Sequence, residues 1–258
     1  MSKSYEEVVD QLAGYLEYLR DEGARTVECA PSALAAIKRP LAAPPASPAP
    51  VAAEVAVNVE APIETPGPSG DVDLDAVTAE IAGCTKCGLC ESRTKTVPGQ
   101  GSLRPEILFV GEGPGADEDR QGLAFVGRAG QLLTKMIEAM GFRRDEVFIA
   151  NVVKCRPPGN RTPLPDEMAT CLPYLARQIA VLQPKVIVAM GATAVKGLLN
   201  TTSGITNMRG NWKTFEGIDV MPTFHPAYLL RDPSKKREAW TDLQSVLERL
   251  GRQAPPRA

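Results

Sequence analysis

Four cysteines have the residue type and spacing of metal ligands. Cys84 and Cys87 form a C-x2-C pair, and Cys155 and Cys171 follow far downstream, with fifteen residues between them. Four thiolates can close one tetrahedral zinc site or hold an iron–sulfur cluster. The alternative is a fortuitous C-x2-C pair and two unrelated buried thiols. Cys90 lies three residues after the pair, and spacing alone does not decide whether it is a ligand.

A glycine-rich, acidic loop follows a short apolar run at residues 107–110. The loop begins at Gly111 and reads G-E-G-P-G-A-D-E-D. A buried strand that leads into such a loop is where open α/β sheets place their ligands. The glycines also fit the dinucleotide pattern G-x-G-x-x-G/A, which makes a nucleotide-binding α/β enzyme a rival interpretation. Three acids directly after the glycines argue against it, because they would repel a pyrophosphate at the helix start.

Two polar side chains interrupt or follow other apolar runs. Asn151 lies inside the run at residues 147–153, and His225, the chain's one histidine, follows the run at 220–223. A buried amide must find hydrogen-bond partners or it costs about 1–3 kcal/mol. Asn151 therefore either bonds to backbone or faces a ligand with both a donor and an acceptor, as a nucleobase edge has. A lone histidine is more often a core residue, but His225 falls at the same sheet edge as Gly111.

The hydrophobic periodicity predicts the elements that would position these residues. Strands alternate with helices, which favours a three-layer α/β/α fold around a mainly parallel, four-stranded sheet. The predicted strands are residues 107–110, 147–153, 186–190 and 220–223, and the predicted helices are 73–82, 131–140, 166–182, 192–199 and 233–250.

The first seventy residues differ in composition from the rest. Residues 1–39 carry an apolar stripe at helical spacing and predict a helical extension, which we expect to dock a protein partner. Residues 40–70 contain eight prolines and no aromatic residue, which indicates a disordered linker. Residues 71–258 then form the functional domain.

Charge and apolar runs exclude several classes of protein. Residues 1–70 hold ten acids and five bases, and residues 71–258 hold twenty-one acids and twenty-four bases. The mild positive balance of the second part permits contact with DNA but is far from that of a tight nonspecific DNA binder. No apolar run is long enough to span a membrane, and the N-terminus lacks the apolar core of a signal peptide. We therefore expect a cytoplasmic monomer whose cysteines serve a metal or catalysis before disulfides.

Four motifs follow one another along the chain. They are G-E-G-P-G-x-x-E-D from Gly111, F-V-G-R-A-G from Phe125, N-V-V-K-C-R-P-P-G-N-R from Asn151 and F-H-P-A-Y-L-L-R from Phe224. In this order, they resemble the motifs of the iron–sulfur (family four) uracil-DNA glycosylases. The resemblance covers about residues 84–250 and leaves the first seventy residues outside. It implies a hydrolase that removes uracil from single- or double-stranded DNA and leaves an abasic site for base excision repair.

The resemblance also implies a cofactor and its ligands. By this analogy, a [4Fe-4S] cluster is held by Cys84, Cys87, Cys155 and Cys171, and Cys90 is not a ligand. Cys155 lies four residues past Asn151, so metal ligation there would fix the loop that follows the predicted strand at residues 147–153. We therefore expect the cluster to have a structural role.

The same resemblance implies roles in uracil recognition and cleavage. Phe125 stacks on the flipped uracil, Asn151 reads its pairing edge, and the backbone of Gly111, Glu112 and Gly113 lines the pocket. His225 donates to the uracil oxygen as negative charge develops on the leaving base. Glu112 stands where better-known relatives carry the acid that activates water.

The resemblance gives two further residues a supporting role, and the chain differs from the family pattern at two places. Glu118 and Asn160 would support the catalytic acid and the loop. Leu123 and Ala124 stand where many members of the family have Arg-Pro, and the N-terminal extension is not part of the shared core.

Two other functions compete with this interpretation. A covalent uracil-trapping relative needs a second histidine, and this chain has only His225. A non-catalytic, DNA-binding iron–sulfur module associated with replication or repair would not need Glu112, Asn151 and His225 together, and an assay for abasic sites separates it from an enzyme.

Overall fold

The computed structural model describes residues 73–256. The predicted N-terminal helix and the Pro/Ala-rich linker lie outside the described residues. No helix in the described range is both long enough and apolar enough to cross a membrane.

The described helices and strands alternate along the chain as the periodicity predicts. The helices are α1 Leu74–Ala82, α2 Leu89–Ser92, α3 Ala116–Gln121, α4 Arg128–Ala139, α5 Pro165–Leu182, α6 Ala192–Leu199, α7 Ile205–Met208, α8 Pro226–Arg231 and α9 Lys236–Arg249. The strands are β1 Gln100–Gly101, β2 Ile107–Gly111, β3 Phe148–Asn151, β4 Val186–Met190, β5 Lys213–Phe215 and β6 Ile218–Thr223.

The six strands form one sheet in the order β1-β3-β2-β4-β6-β5. The inner four are mutually parallel, which confirms the predicted parallel sheet. The two outer strands, β1 and β5, are antiparallel to their neighbours and were not predicted. They have two and three residues and no apolar alternation, so the sequence carries no periodic signal for them.

Both faces of the parallel strands are covered, which explains their continuous apolar sequence. On β2, Leu108 and Val110 pack into one core cluster, and Ile107 and Phe109 pack into the other. Helices α1, α5 and α6 contribute to the first cluster, and α4 and α9 to the second. The three-layer α/β/α prediction is therefore confirmed.

The register places the functional segments side by side. Gly111, the last residue of β2, pairs with Asn151, the last residue of β3. Strands β4 and β6 run parallel to them and end at Met190 and Thr223. The chain segments that follow all four strands therefore meet at one edge of the sheet.

Candidate active site

A cleft of about 260 Å³ opens at this edge of the sheet. It brings together residues that are far apart in the chain. The predicted site residues that line it are Glu112, Gly113, Glu118, Phe125, Asn151, Asn160 and His225.

Gly111, another predicted site residue, does not itself line the cleft but lies against two residues that do, Phe125 and Asn151. A Cβ atom at this position would lie 2.4 Å from Phe125 Cζ and 2.5 Å from Asn151 Oδ1. Both distances are far shorter than van der Waals contact. Glycine is therefore required here because the ring and the amide converge on the backbone.

The amide of Asn151 is buried and incompletely bonded. The residue is 1% exposed, and Oδ1 has no hydrogen-bond partner among the described residues. An acceptor left in this state costs free energy unless a ligand or water supplies a donor. The amide is thus arranged to receive a donor from a molecule in the cleft.

The carboxylate of Glu112 is oriented by a residue that the sequence analysis missed. Thr193 Oγ1 donates to Glu112 Oε2 at 2.5 Å. Thr193 is buried in the first turn of α6, just after β4. Its place after a strand end was a usable signal, because Gly111 and His225 were singled out on the same ground.

His225 is the N-cap of α8 and is held in one tautomer. Its Nδ1 accepts from the backbone N–H of Ala227 at 3.1 Å. A neutral imidazole that accepts at Nδ1 carries its proton on Nε2. Burial lowers the pKa of His225 to about 4, and the nearby charge of Arg231 adds to the effect. At neutral pH the ring is therefore an uncharged Nε2–H donor, with its centroid 5.6 Å from that of Phe125.

Glu118 ties together the two loops that frame the cleft. Its Oε2 accepts from the N–H of Gly115 at 3.1 Å, and its Oε1 accepts from Val126 and Gly127 at 2.9 Å each. The side chain is 9% exposed. Asn160 stands on the opposite loop, where its Oδ1 accepts from Arg156 Nε at 2.7 Å.

A second, much smaller cavity, of about 10 Å³, is lined by five cysteines. Cys155 and Cys171 are buried, and Cys84, Cys87 and Cys90 are half-buried. All five are free thiols. The structure thus brings the distant pair of cysteines to the C-x2-C segment, and it also brings Cys90 there.

Hydrogen-bond donors and a cation surround these sulfurs. Arg93 Nη1 donates to Cys155 Sγ at 3.2 Å, and the N–H of Lys154 points to Cys171 Sγ at 3.3 Å. Burial raises the pKa of Cys155 and raises that of Cys171 to about 11, so both thiolates need a bound cation to be stable at neutral pH.

The chemistry of the donor set fits an iron–sulfur cluster. Cysteine thiolates are the ligands of such clusters, four for a [4Fe-4S] cluster, and five cysteines line this cavity. As the side chains stand within residues 73–256, no three His, Cys, Asp or Glu groups are close enough together to hold one metal ion.

Lys154 links the cysteine cavity to the cleft and was not singled out in the sequence. Its Nζ is buried and donates to Asn151 O at 2.9 Å and to Gln178 Oε1 at 2.7 Å. Burial lowers the pKa of Lys154 to about 8. One residue therefore contacts both a cavity cysteine, through its backbone, and the strand that carries Asn151, through its side chain.

Comparison with known proteins identifies the family. The model of the uracil DNA glycosylase superfamily matches residues 98–244. The type-4 uracil-DNA glycosylase of Thermotoga maritima is 49% identical over 167 residues, which are 63% of this chain and 86% of the relative. That of Sulfurisphaera tokodaii is 46% identical over 184 residues, 68% of this chain and 84% of the relative.

A third relative matches over almost its whole length. The type-4 uracil-DNA glycosylase of Archaeoglobus fulgidus is 40% identical over 190 residues, 70% of this chain and 96% of the relative. The range matched by the family model includes the four parallel strands and every residue that lines the cleft. The chain belongs to the uracil-DNA glycosylase superfamily and, within it, to the type-4 enzymes.

Proposed function

We propose that this chain flips uracil out of DNA and hydrolyses its N-glycosidic bond, leaving an abasic site for base excision repair. One observation carries the proposal: the buried, unpartnered Asn151 oxygen faces the same cleft as Phe125, Glu112 and a neutral His225. Excision of a pyrimidine requires four groups: a ring on which the base stacks, an amide that bonds to its pairing edge, a carboxylate and a neutral hydrogen-bond donor.

Recognition follows from the geometry at the base of the cleft. Flipping a base costs a few kcal/mol of stacking and pairing, which the pocket must recover. The Phe125 ring offers a face for the base. Asn151 Oδ1 can accept from uracil N3–H while its Nδ2 donates to O4, so the amide selects the uracil pairing edge. The missing side chain at Gly111 leaves room for that edge.

Cleavage follows from two groups that act on developing charge. Breaking the glycosidic bond leaves positive charge on the sugar, which a carboxylate stabilises while it positions the attacking water. Glu112, held by Thr193, supplies that carboxylate. The leaving uracil gains negative charge on its oxygen, and the Nε2–H of His225 donates to it. A neutral donor suffices, because the uracil anion leaves without taking the imidazole proton.

We assign the cysteine cavity to a [4Fe-4S] cluster held by Cys84, Cys87, Cys155 and Cys171. When bound, the cluster supplies a crosslink and takes no part in hydrolysis. Cys155 follows Asn151 by four residues, so ligation fixes the loop that leaves the recognition strand. Cys90 also lines the cavity, and its exclusion from the ligand set is part of the proposal.

The proposal extends to the whole chain. Residues 71–258 form the glycosylase domain, residues 40–70 the linker and residues 1–39 a docking segment for a protein partner. We place the enzyme in the cytoplasm as a monomer. These assignments rest on sequence composition and on the function.

The test is incubation with an oligonucleotide that contains one uracil, followed by alkaline cleavage at abasic sites. We expect strand cleavage at the uracil position and none with thymine or cytosine in its place. Single-stranded and duplex substrates run in parallel give the strand preference. Binding of the oligonucleotide without cleavage would favour the non-catalytic iron–sulfur module, and binding of NAD or ATP would favour the nucleotide-binding enzyme.

A further inference from the structure

Phe125, the proposed stacking residue, has an unusual backbone conformation. Its φ is +52°, in the left-handed region that residues with a side chain seldom adopt. This conformation must be maintained by contacts from outside the residue. The ring depends on it, because φ and ψ set the direction in which Cβ leaves the chain.

Both peptide bonds that flank Phe125 are held by one guanidinium group. Arg144 Nη2 donates to the carbonyl oxygen of Ala124 at 2.7 Å and to that of Phe125 at 2.9 Å. The first carbonyl belongs to the peptide bond that φ of Phe125 rotates, and the second belongs to the one that ψ rotates. Arg144 therefore restrains both dihedral angles.

The second of these peptide bonds is held at both ends. Its oxygen accepts from Arg144, and its N–H, which belongs to Val126, donates to Glu118 Oε1 at 2.9 Å. A cation on one side and an anion on the other fix the plane of the peptide group. Glu118 does not contact the Ala124 carbonyl, which accepts from Arg144 at 2.7 Å and from Gln100 Nε2 at the longer distance of 3.3 Å. Arg144 is thus the one of these three side chains that holds the carbonyl oxygens on both sides of Phe125.

Arg144 is itself fixed in place. Its Nη1 donates to Thr134 Oγ1 at 2.9 Å, and Thr134 Oγ1 donates to Gly130 O at 3.1 Å within α4. The side chain is half-buried, and burial lowers the pKa of its guanidinium while the charge of Glu118 opposes that change. Arginine stays charged at any working pH. The restraint on Phe125 is therefore present throughout the pH range of the enzyme.

We propose that Arg144 is a positioning residue that holds Phe125 in the conformation that stacks on the flipped base. The inference rests on the proposed excision of uracil. Without the guanidinium, the Ala124–Val126 segment relaxes toward ordinary φ values and the ring leaves the face of the base.

The test is a double-mutant cycle under single-turnover conditions with a uracil oligonucleotide. We expect Arg144→Ala to slow excision about ten- to a hundredfold, the scale of a misplaced active-site group. In a Phe125→Ala background the same change should lower the excision rate by less than about twofold, because the effects of residues that act as a unit are not additive.

The matched control is Arg143→Ala. Arg143 is adjacent, exposed and paired with Asp145, so this variant should keep the wild-type rate.

Three outcomes overturn the inference. The first is an equal loss in both backgrounds, which would indicate a general effect on the fold. The second is an unchanged rate in Arg144→Ala. The third is a crystal structure of Arg144→Ala in which Phe125 keeps its left-handed φ and the position of its ring.

The cycle also separates this inference from the function on which it rests. Wild-type chain that leaves uracil DNA intact contradicts the proposed function itself. If wild type excises uracil and Phe125→Ala excises it at the same rate, then Phe125 does not stack on the flipped base. In that case the positioning role of Arg144 is contradicted as well. Excision that depends on Phe125 but not on Arg144 contradicts the positioning role alone.

Discussion

Substitution of Glu112 tests the proposed cleavage mechanism most directly. We expect Glu112→Gln to slow single-turnover excision about a hundred- to a thousandfold. Binding to uracil DNA should be nearly unchanged, because the carboxylate acts mainly on charge that appears in the transition state. The measurement is the excision rate, with affinity for the uracil oligonucleotide determined in parallel. Full single-turnover activity in Glu112→Gln would mean that another group positions the water.

In the proposed mechanism, Asn151 selects which base is excised more than it sets the rate. We expect Asn151→Asp to lose uracil excision and to gain slow excision of cytosine. The new carboxylate repels the uracil O4 but accepts from the amino group that cytosine carries at the same position. The measurement is single-turnover excision from uracil and cytosine oligonucleotides. A variant that only loses rate on uracil would show that the amide does not select the base.

The lowered pKa of His225, about 4, leads to a prediction for the pH dependence of the excision rate. The excision rate should show no histidine-dependent change between pH 8 and 5, since the ring stays a neutral donor throughout that range. A fall in rate centred near the ordinary histidine pKa of about 6.5 would contradict the assignment.

The same residue couples stability to pH. Below about pH 6.5 the unfolded chain protonates its histidine while the folded chain does not, so stability is lost as pH falls toward 4. We expect the free energy of unfolding of wild type to fall more steeply over this range than that of His225→Asn. His225 is the chain's one histidine, so the comparison isolates it. Denaturant titrations at several pH values measure the difference.

The residues that could be predicted from sequence are those that stand out within an apolar run or directly after it. Asn151 and His225 are of this kind. Arg144 and Lys154 are not, because each acts through a hydrogen bond to a segment distant in sequence. Thr193 carried only the signal of its place after β4. A lysine after a strand is ordinarily read as exposed, and only packing against Gln178 makes Lys154 a buried donor.

At the scale of elements, the cysteine cavity connects a segment before β1, the loop after β3 and helix α5. We expect alanine at Cys84, Cys87, Cys155 or Cys171 to remove bound iron and visible absorbance and to destabilise the fold, because ligation is coupled to folding. The measurements are iron content, absorbance and melting temperature.

Cys90→Ala is the matched control for these variants. It lines the same cavity but is excluded from the proposed ligand set, so it should keep both colour and iron. Colourless wild-type protein that contains one zinc would contradict the cluster, and loss of iron in Cys90→Ala would contradict the choice of ligands.

The elements themselves were predictable in proportion to their length and apolar content. Strands β2 and β4 and helices α1, α5 and α6 fall at or within one residue of their predicted bounds, while β3 and β6 differ from theirs by two residues at one end, and α4 and α9 by three. The short helices α2, α3, α7 and α8 were not predicted, because one or two turns leave too few residues to show a period. Helix α3 owes its position to Glu118 and its contacts with other loops, which local sequence does not encode.

At the scale of the whole molecule, all the proposed catalytic, uracil-binding and cluster-binding residues lie between Cys84 and His225, beyond the Pro/Ala-rich segment at residues 40–70. A shortened chain that starts at Gly70 should therefore excise uracil at about the full-length rate under single-turnover conditions. Melting temperature serves as the control for folding. A large loss of rate with an unchanged melting temperature would assign residues 1–69 a part in the chemistry.

The meeting of four parallel strand ends has a consequence for synthesis of the protein. Gly111, Asn151, Thr193 and His225 each follow or end a different strand, so the ribosome completes the cleft only when the last of them has emerged. A message with a stop codon before position 225 yields a product that retains the cysteines and most of the sheet but lacks one wall of the cleft. Such a product also lacks α9, which packs on one face of the sheet, so we expect it neither to complete its fold nor to excise uracil at the full rate.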